Sequence, residues 1–162
     1  MDRIYSCIKF YRGYLIIEEE SGYLTGLSYS SRCEFGEPST SLSHRLSKLI
    51  SRYEEGFPID FRGIPISFRY GSEFDIMVWT VVRKIPYGGL RTYKWVAERV
   101  LDSRYSRVVG RSLSKNPILI VVPCHRIIKS DYTLGGFTDG VEFKKYLLTL
   151  EGHDIRDNKV IR

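Results

Sequence analysis

Apolar and polar residues alternate along the first thirty residues of the chain. The alternation covers three runs, residues 4–10, 14–18 and 23–29, and the dipeptides Arg12-Gly13 and Ser21-Gly22 separate them. A repeat of two positions, interrupted by glycine-containing dipeptides, is typical of half-buried strands that are joined as hairpins. The pattern therefore predicts a small antiparallel sheet of three strands at the N-terminus.

A helical repeat follows after a polar crossing segment. Apolar residues recur at intervals of three and four positions within residues 42–54, which predicts a helix. Residues 59–68 are interrupted by a glycine and a proline, which favours an extended connection. We therefore predict a small α+β domain with a linker over residues 1–68, without chemistry of its own.

The remainder of the chain, residues 69–162, is predicted to be a mainly helical domain. Ser72 is a suitable N-cap with Asp75 three residues later, so a helix begins there. Two shorter helices are predicted over residues 93–101 and 107–115, joined by a turn rich in Asp and Ser. Two short helices with a tight turn form the outline of a helix-turn-helix. The predicted fold class is therefore α+β, with a helix-turn-helix in the second domain.

A single cysteine stands at the end of a short apolar run in this second domain. Leu119–Val122 is aliphatic, Pro123 stops the run, and Cys124, His125 and Arg126 follow. We interpret the run as a buried strand that delivers a thiol to its end. An isolated cysteine is more often a small core residue. The proline stop and the two neighbouring cationic residues instead favour a thiolate, which is the nucleophilic form.

A glycine-dense loop, residues 134–140, separates this segment from a last predicted helix over residues 141–150. Such a loop is either a passive connection or a wall that packs its backbone against a flat ligand. The helix ends at Glu151-Gly152-His153.

Composition and length limit the class of protein. The chain has 162 residues, of which 43% are apolar, enough for one sizeable core or two small ones. No apolar run approaches the ~18 residues of a membrane span, and the first residues lack the pattern of a signal peptide. We expect a cytoplasmic protein, or a nuclear one in a eukaryote, without membrane contact. Glutamine is absent and asparagine occurs only twice, which is typical of thermophile proteins.

The three cysteines are an odd number without C-x-x-C spacing, so we expect no disulfide framework. Cys7 and Cys33 could bind a structural zinc ion together with His44, but this spacing is loose and lacks a fourth ligand. Two ordinary thiols are the favoured interpretation. We therefore expect no metal and no cofactor.

Positive charge is concentrated in one segment. Residues 1–68 carry eight Lys and Arg against nine Asp and Glu, whereas residues 69–162 carry seventeen against ten. Within residues 83–115, nine basic residues stand against only Glu98 and Asp102. A basic block of this kind indicates a face that binds a polyanion, although a solvated helical surface would carry the same charges.

Short motifs surround Cys124 in a fixed order. They are F-x-x-x-V-W at 74–79, I-P-Y-G at 85–88, T-Y at 92–93, R-x-V-G at 107–110, Asn116-Pro117, P-C-H-R at 123–126 and L-L-x-L-E-G at 147–152. The ordered set resembles the O6-alkylguanine-DNA alkyltransferase family of single-use DNA repair proteins. This resemblance covers roughly residues 68–153.

The resemblance implies that Cys124 accepts an alkyl group from O6 of guanine in an irreversible, single-turnover reaction. His125 and Glu151 would form a relay that removes the thiol proton through a bridging water. Asn116 would hold the turn beside the cysteine, and Tyr93 would donate to guanine as it leaves.

The resemblance also implies that the partner of this monomeric protein is double-stranded DNA containing O6-alkylguanine. Arg107 would replace a nucleotide flipped out through the minor groove. The implied DNA-binding residues are Arg107, Gly110, Arg111, Thr92 and Arg126. The implied pocket residues are Tyr93, Val122, Pro123, Gly136, Phe137 and Thr138.

Some positions depart from the family pattern. Phe137 stands where many members have tyrosine, Thr138 replaces a common serine, and Asp139 stands where glycine or a basic residue is usual. These departures concern the size of the pocket and leave the acceptor cysteine in place.

Three other functions remain open on the sequence. A sensor of the same fold would bind alkylated guanine without accepting the group, but such proteins have another residue, often tryptophan, at the cysteine position. A cysteine hydrolase could use Cys124 with a histidine and Glu151, but it would leave the basic block unexplained. A plain helix-turn-helix regulator would leave P-C-H-R and the glycine loop unexplained.

Overall fold

The computed structural model describes residues 2–162, which form two compact units. The first unit holds the chain up to Arg69 together with Pro117–Val121, and the second holds Tyr70–Asn116 and Val122–Arg162. The predicted boundary after residue 68 lies next to this division but leaves out residues 117–121. Across the described residues a three-stranded antiparallel sheet and five α-helices are present, which confirms the α+β class.

The first unit is built on a sheet whose strands follow the order β1-β2-β3. The strands are β1 (Arg3–Phe10), β2 (Gly13–Glu20) and β3 (Tyr23–Ser30), as the alternating pattern predicts. Helix α1 (Ser41–Glu54) begins after Thr40, whose hydroxyl accepts from the Ser43 N–H at 3.0 Å. The sheet and the helix bury a common set of apolar side chains: Phe10, Leu15, Ile17, Leu24, Leu27, Leu46, Ile50 and Tyr53.

A disulfide joins Cys7 on β1 to Cys33 in the segment before α1. The expectation of two unpaired thiols is therefore wrong, and the zinc alternative with His44 loses both of its thiolate ligands. The two Cα atoms lie 6.0 Å apart, although 26 positions separate them in sequence. Sequence spacing does not reveal this pair, because only the hairpin and the crossing segment bring the two residues together. No group of three or more His, Cys, Asp and Glu residues suited to a metal ion occurs within residues 2–162.

The second unit contains the predicted helix-turn-helix. Helix α2 (Glu73–Arg83) begins where predicted, because Ser72 and Asp75 each accept a hydrogen bond from the other's N–H, at 3.1 and 3.0 Å. Helices α3 (Tyr93–Val100) and α4 (Ser106–Ser114) pack against each other and against α2. Both agree with the predicted ranges to within one residue at each end.

Short strands frame the rest of the second unit. β4 (Arg91–Thr92) pairs in parallel with β5 (Ile127–Ile128), and α5 (Val141–Leu150) follows the glycine loop. The chain then forms a hairpin of β6 (Asp154–Arg156) and β7 (Lys159–Ile161), which sequence analysis missed. None of the helices within residues 2–162 combines the length and the hydropathy that a membrane span requires.

The predicted strand over Leu119–Val122 is wrong. The Val121 N–H donates to the Leu119 carbonyl at 2.7 Å, and Ile120 between them has a φ of 68°. This is a tight three-residue turn, and a β-branched residue is uncommon at such a φ. The apolar run reflects complete burial of residues 118–124 and not a strand.

Candidate functional site

Cys124 opens a short 3₁₀ turn directly after Pro123. The Cys124 N–H donates to the Val122 carbonyl at 2.8 Å, and Pro123 between them has φ −81° and ψ 63°. These angles define an inverse γ-turn, which proline favours because its ring fixes φ near −65°. The Cys124 side chain is 5% exposed and carries the free thiol of the described chain. The local sequence therefore holds a lone thiol at a fixed point.

Asn116 contacts this thiol directly. Its Nδ2 atom donates to the Val122 carbonyl at 2.8 Å and to Cys124 Sγ at 3.1 Å. A hydrogen bond to a charged acceptor is stronger than one to a neutral acceptor, so this contact stabilises a thiolate more than a thiol. The structure thus brings together two of the residues that the sequence singled out.

The resting form of Cys124 is the thiol. Burial raises its pKa to about 11, while the Asn116 hydrogen bond and the charge of Lys144 act in the opposite direction. The expectation that His125 and Arg126 make the group a thiolate is therefore wrong for the resting protein. Neighbours in sequence do not decide the pKa here, because desolvation of the charged form outweighs them.

His125, Glu151 and Arg126 form a buried row of hydrogen bonds. His125 Nε2 lies 2.5 Å from Glu151 Oε2, and Arg126 donates to both carboxylate oxygens, at 2.7 Å from Nε and 3.1 Å from Nη2. The Gly88 N–H also donates to Glu151, at 2.9 Å. Each of these three residues is at most 5% exposed. The row therefore fixes both the carboxylate and the imidazole.

The environment also sets the charges in this row. Burial alone would raise the pKa of Glu151, but its contacts with His125 and Arg126 lower it, so the carboxylate is ionised. Burial lowers the pKa of His125, although Glu151 opposes this shift. At neutral pH the imidazole is therefore neutral and donates from Nε2 to Glu151. Its other nitrogen, Nδ1, is the one that can accept a proton.

The expected DNA contact at Arg126 is wrong. The residue is 4% exposed, and its guanidinium also donates to the Ile85 carbonyl at 2.6 Å. A side chain enclosed by these acceptors does not reach a phosphate. We assign Arg126 to holding Glu151 in place instead.

Lys144 is a functional candidate that sequence analysis missed. It is 1% exposed, and its Nζ donates to the carbonyls of Leu134 and Ile127 at 2.5 and 2.6 Å. Burial lowers its pKa to about 8, while the interaction with Cys124 raises it. The lysine therefore still carries its charge at neutral pH, and this charge acts on the thiol.

A sequence signal for Lys144 exists. Leu147 and Leu148 follow it at positions i+3 and i+4, so it lies on the apolar face of α5. A charged residue on an apolar helix face is unusual unless it has buried partners.

A cavity of about 380 Å³ opens beside the thiol. Its lining residues are Tyr93, Gly110, Leu113, Ser114, Cys124, Gly136, Phe137 and Thr138. Burial, and the charge that Cys124 would carry, raise the pKa of Tyr93, so its hydroxyl keeps its proton. Gly135 packs against this tyrosine so closely that a Cβ would lie 2.6 Å from the hydroxyl oxygen. The glycine loop is therefore a wall of the cavity and not a passive connection.

Two of the expected pocket residues do not line the cavity. Val122 and Pro123 are both buried and lie outside the lining. The γ-turn at Pro123 presents only the next side chain, that of Cys124, to the cavity. Gly110, expected as a DNA contact, lines the cavity.

Helix α4 presents a basic face. Arg107 and Arg111 are exposed one turn apart, and the opposite face buries Val109 and Leu113. Thr92 is half-buried, and its hydroxyl accepts the Trp95 N–H at 3.0 Å as the N-cap of α3. The two arginines are thus placed to contact a polyanion.

Asp75 holds α4 in place through side-chain hydrogen bonds. Its carboxylate accepts from the Ser112 hydroxyl at 2.6 Å and from Lys115 Nζ at 3.0 Å, and Trp79 Nε1 donates to the Ser112 carbonyl at 2.8 Å. Burial would raise the pKa of Asp75, but these and other hydrogen bonds lower it to about 2. One buried carboxylate therefore caps α2 and anchors α4.

Comparison with known proteins agrees with this geometry. Residues 73–153 match the family model described as 6-O-methylguanine DNA methyltransferase, DNA binding domain. A Sulfurisphaera tokodaii protein named methylated-DNA--protein-cysteine methyltransferase is 46% identical over 103 residues, which are 64% of this chain and 64% of that relative. A protein of the same name from Saccharolobus islandicus is 35% identical over 149 residues, which are 92% of this chain and 95% of that relative.

A solved structure shares the fold. The crystal structure of Mycobacterium tuberculosis OGT in complex with DNA superposes with a TM-score of 0.79 at 29% identity, covering 91% of this chain and 92% of that one. The match to the Sulfurisphaera tokodaii protein spans just under two thirds of that protein's length, whereas the match to the Saccharolobus islandicus protein covers almost all of it. The family model and the near-complete relative agree, and so the chain belongs to the methylated-DNA–protein-cysteine methyltransferase family.

Proposed function

We propose that this protein repairs DNA by moving an alkyl group from O6 of guanine to the sulfur of Cys124. The observation that carries the proposal is the free, buried thiol at the side of a cavity, with an amide donor in contact with it and the positive charge of Lys144 acting on it. One chain supplies every residue of this site, so we propose that it acts as a monomer. The family name and the DNA complex of the M. tuberculosis relative support DNA as the substrate.

The first step removes the thiol proton. With a pKa of about 11, Cys124 needs a base at neutral pH, and neutral His125 can take the proton on Nδ1 through a bridging water. Glu151 stabilises the imidazolium that results, because its carboxylate accepts from Nε2. Asn116 and Lys144 then stabilise the new thiolate.

The second step is the transfer itself. The thiolate attacks the alkyl carbon, so an S–C bond forms while the C–O6 bond breaks and its electron pair passes to the guanine oxygen. Tyr93 keeps its proton and lines the cavity, so it can donate to the leaving base and offset the developing charge. Guanine leaves as an anion and becomes unmodified guanine by taking up one proton at N1, which is balanced by the proton that His125 took from Cys124 and then releases. The other product is a thioether on Cys124.

Transfer inside a duplex requires that the nucleotide leave the base stack. Flipping costs a few kcal/mol, and we propose that Arg107 on the exposed face of α4 takes the place of the missing base. Binding through α4 in the minor groove with little base-specific contact suits a protein that searches all sequences. The nine basic residues within the segment 83–115 supply the electrostatic attraction to the DNA phosphates.

The test is a count of turnovers. A thioether has no easy leaving group, so with excess duplex containing O6-methylguanine the product should level off at about one per protein. The added mass should map to Cys124, and Cys124→Ser should bind the duplex without reacting. Continued turnover, or alkylation of Cys7 or Cys33, would contradict the proposal.

The role of Arg107 is tested by comparing two substrates. Arg107→Ala should slow repair of duplex DNA by about tenfold, or ~1.4 kcal/mol, because no side chain then fills the gap in the stack. Reaction with free O6-methylguanine should keep its rate, because it needs no flipping. The control is Lys94→Ala, at an exposed lysine of α3. Equal losses on both substrates would refute the assignment.

A further inference from the structure

Residues 135–140, of which Gly136, Phe137 and Thr138 line the cavity, are called the pocket wall below. The segment has no regular secondary structure, and Gly135 and Gly140 at its two ends have φ values of 73° and 97°. Only glycine adopts such angles without strain, so the two positions can act as hinges. The pocket wall thus has the local features of a segment that can swing.

The first end of the pocket wall is anchored firmly. Leu134 is 1% exposed, its N–H donates to the Asn158 carbonyl at 2.9 Å, and its carbonyl accepts from Lys144 Nζ at 2.5 Å. The second end runs into α5, whose Lys144 N–H donates to the Gly140 carbonyl at 3.3 Å. Any movement is therefore confined to the middle of the pocket wall.

The middle of the pocket wall is joined to α4 by a side-chain hydrogen bond. Thr138 Oγ1 donates to the Ser114 carbonyl at 2.8 Å, and both residues are exposed and line the cavity. Ser114 is the last residue of α4, so its carbonyl has no partner within the helix. This bond spans from the pocket wall to the opposite side of the cavity.

We propose that the Thr138–Ser114 hydrogen bond is a latch that limits the size of the group transferred to Cys124. The proposal rests on the proposed function. With the latch closed, α4 and the pocket wall are held at a fixed separation, so a small alkyl group fits and a large one must push the wall outward. An exposed hydrogen bond contributes a factor of about two to ten to such an equilibrium, so the latch restricts large groups without forbidding them.

The test compares two free bases, O6-methylguanine and O6-benzylguanine, by the rate at which each alkylates Cys124, measured by intact mass. Thr138→Val keeps the volume and removes the hydroxyl donor, so the ratio of benzyl to methyl rates should rise by about threefold or more. Thr138→Ser retains the donor and should keep the wild-type ratio. The matched control is Thr149→Val, an exposed threonine of α5 outside the cavity.

The outcomes separate the two proposals. A wild type that transfers neither group would refute the proposed function. Transfer by the wild type, with the same ratio in Thr138→Val, would refute the latch alone. A shift in Thr138→Ser as large as that in Thr138→Val would also refute the latch, because Thr138→Ser keeps the hydroxyl donor, and a shift there cannot come from loss of the hydrogen bond. Equal melting temperatures of all variants would show that the comparison is made on folded protein.

Discussion

The two units of the chain bury polar groups in different ways. Within the described residues of the first unit, the buried acidic or basic side chain is Glu19, whose carboxylate accepts from the Thr40 hydroxyl at 2.8 Å near the start of α1. In the second unit, apart from the Cys124 thiol, five acidic or basic side chains are nearly inaccessible, and four of them belong to the proposed site. These five are Asp75, His125, Arg126, Lys144 and Glu151.

The two units therefore differ in how much stability they lose by burying charge. Taking charges out of water is unfavourable, and a buried ion pair is often less stabilising than apolar residues of the same size. The first unit avoids the cost with an apolar core and a disulfide between Cys7 and Cys33. The second unit buries charged groups beside Cys124, where shifted pKa values are useful for moving a proton. We infer that the first unit is a scaffold and that the chemistry belongs to the second.

The largest expected effect comes from breaking the charged row. Glu151→Gln leaves Arg126 buried without a counter-charge, so the free energy of unfolding should fall by about 3 to 5 kcal/mol. The variant should also transfer the alkyl group at least about a hundredfold more slowly, because His125 loses the carboxylate that supports its proton transfer. Urea unfolding and the single-turnover rate measure the two effects.

Glu19→Gln is the matched control in the first unit. The Thr40 hydroxyl can donate to an amide oxygen as it does to the carboxylate, so the loss should stay within about 1 kcal/mol and the transfer rate should not change. If the two variants lost equal stability, the contrast between the units would not hold.

The next largest effect concerns the disulfide. Replacing Cys7 and Cys33 together by alanine should lower the free energy of unfolding by about 3 kcal/mol, because the cross-link closes a loop of 26 positions in the unfolded chain. The transfer rate to Cys124 should stay the same. Dithiothreitol should lower the melting temperature of the wild type and leave that of the double variant unchanged. A wild type that melts at the same temperature with and without the reductant would contradict this prediction.

Local signals in the sequence predicted most of the fold. The Ser72 and Asp75 pair located the start of α2, and the alternating pattern located three strands, because both depend on residues close together in the chain. The terminal hairpin was missed although a signal was present. Asp157 and Asn158 form its turn with φ values of 49° and 59°, angles that Asp and Asn tolerate better than most residues.

The site was harder to predict, because its properties arise from burial and from contacts distant in sequence. The motifs identified Cys124 and Asn116, which do lie in contact. They gave the wrong ionisation state for the thiol, because the sequence does not show how far a group is removed from water. The buried position of Arg126 was hidden for the same reason, since its partner Glu151 lies 25 residues away.

The smallest of the expected effects concerns Lys144. Lys144→Met removes the positive charge that lowers the pKa of Cys124, so this pKa should rise and transfer from free O6-methylguanine should slow by about tenfold, the equivalent of one pKa unit. The matched control is Lys145→Met. That lysine is less buried and pairs with Glu142 at 3.1 Å, so its loss should not change the rate.

The pH profile then separates two ways of forming the thiolate. If His125 takes the proton, the total number of bound protons does not change, so the rate should be constant wherever His125 is neutral and Lys144 is charged. Burial lowers the pKa of His125 below its ordinary 6.5, and the pKa of Lys144 is about 8. The rate should therefore be level from 6.5 up to about pH 8 and fall above it as Lys144 loses its proton, whereas Lys144→Met should lack this fall. A wild-type rate that climbs about tenfold per pH unit across this window would show that the proton goes to solvent and that the buried row does not act as the base.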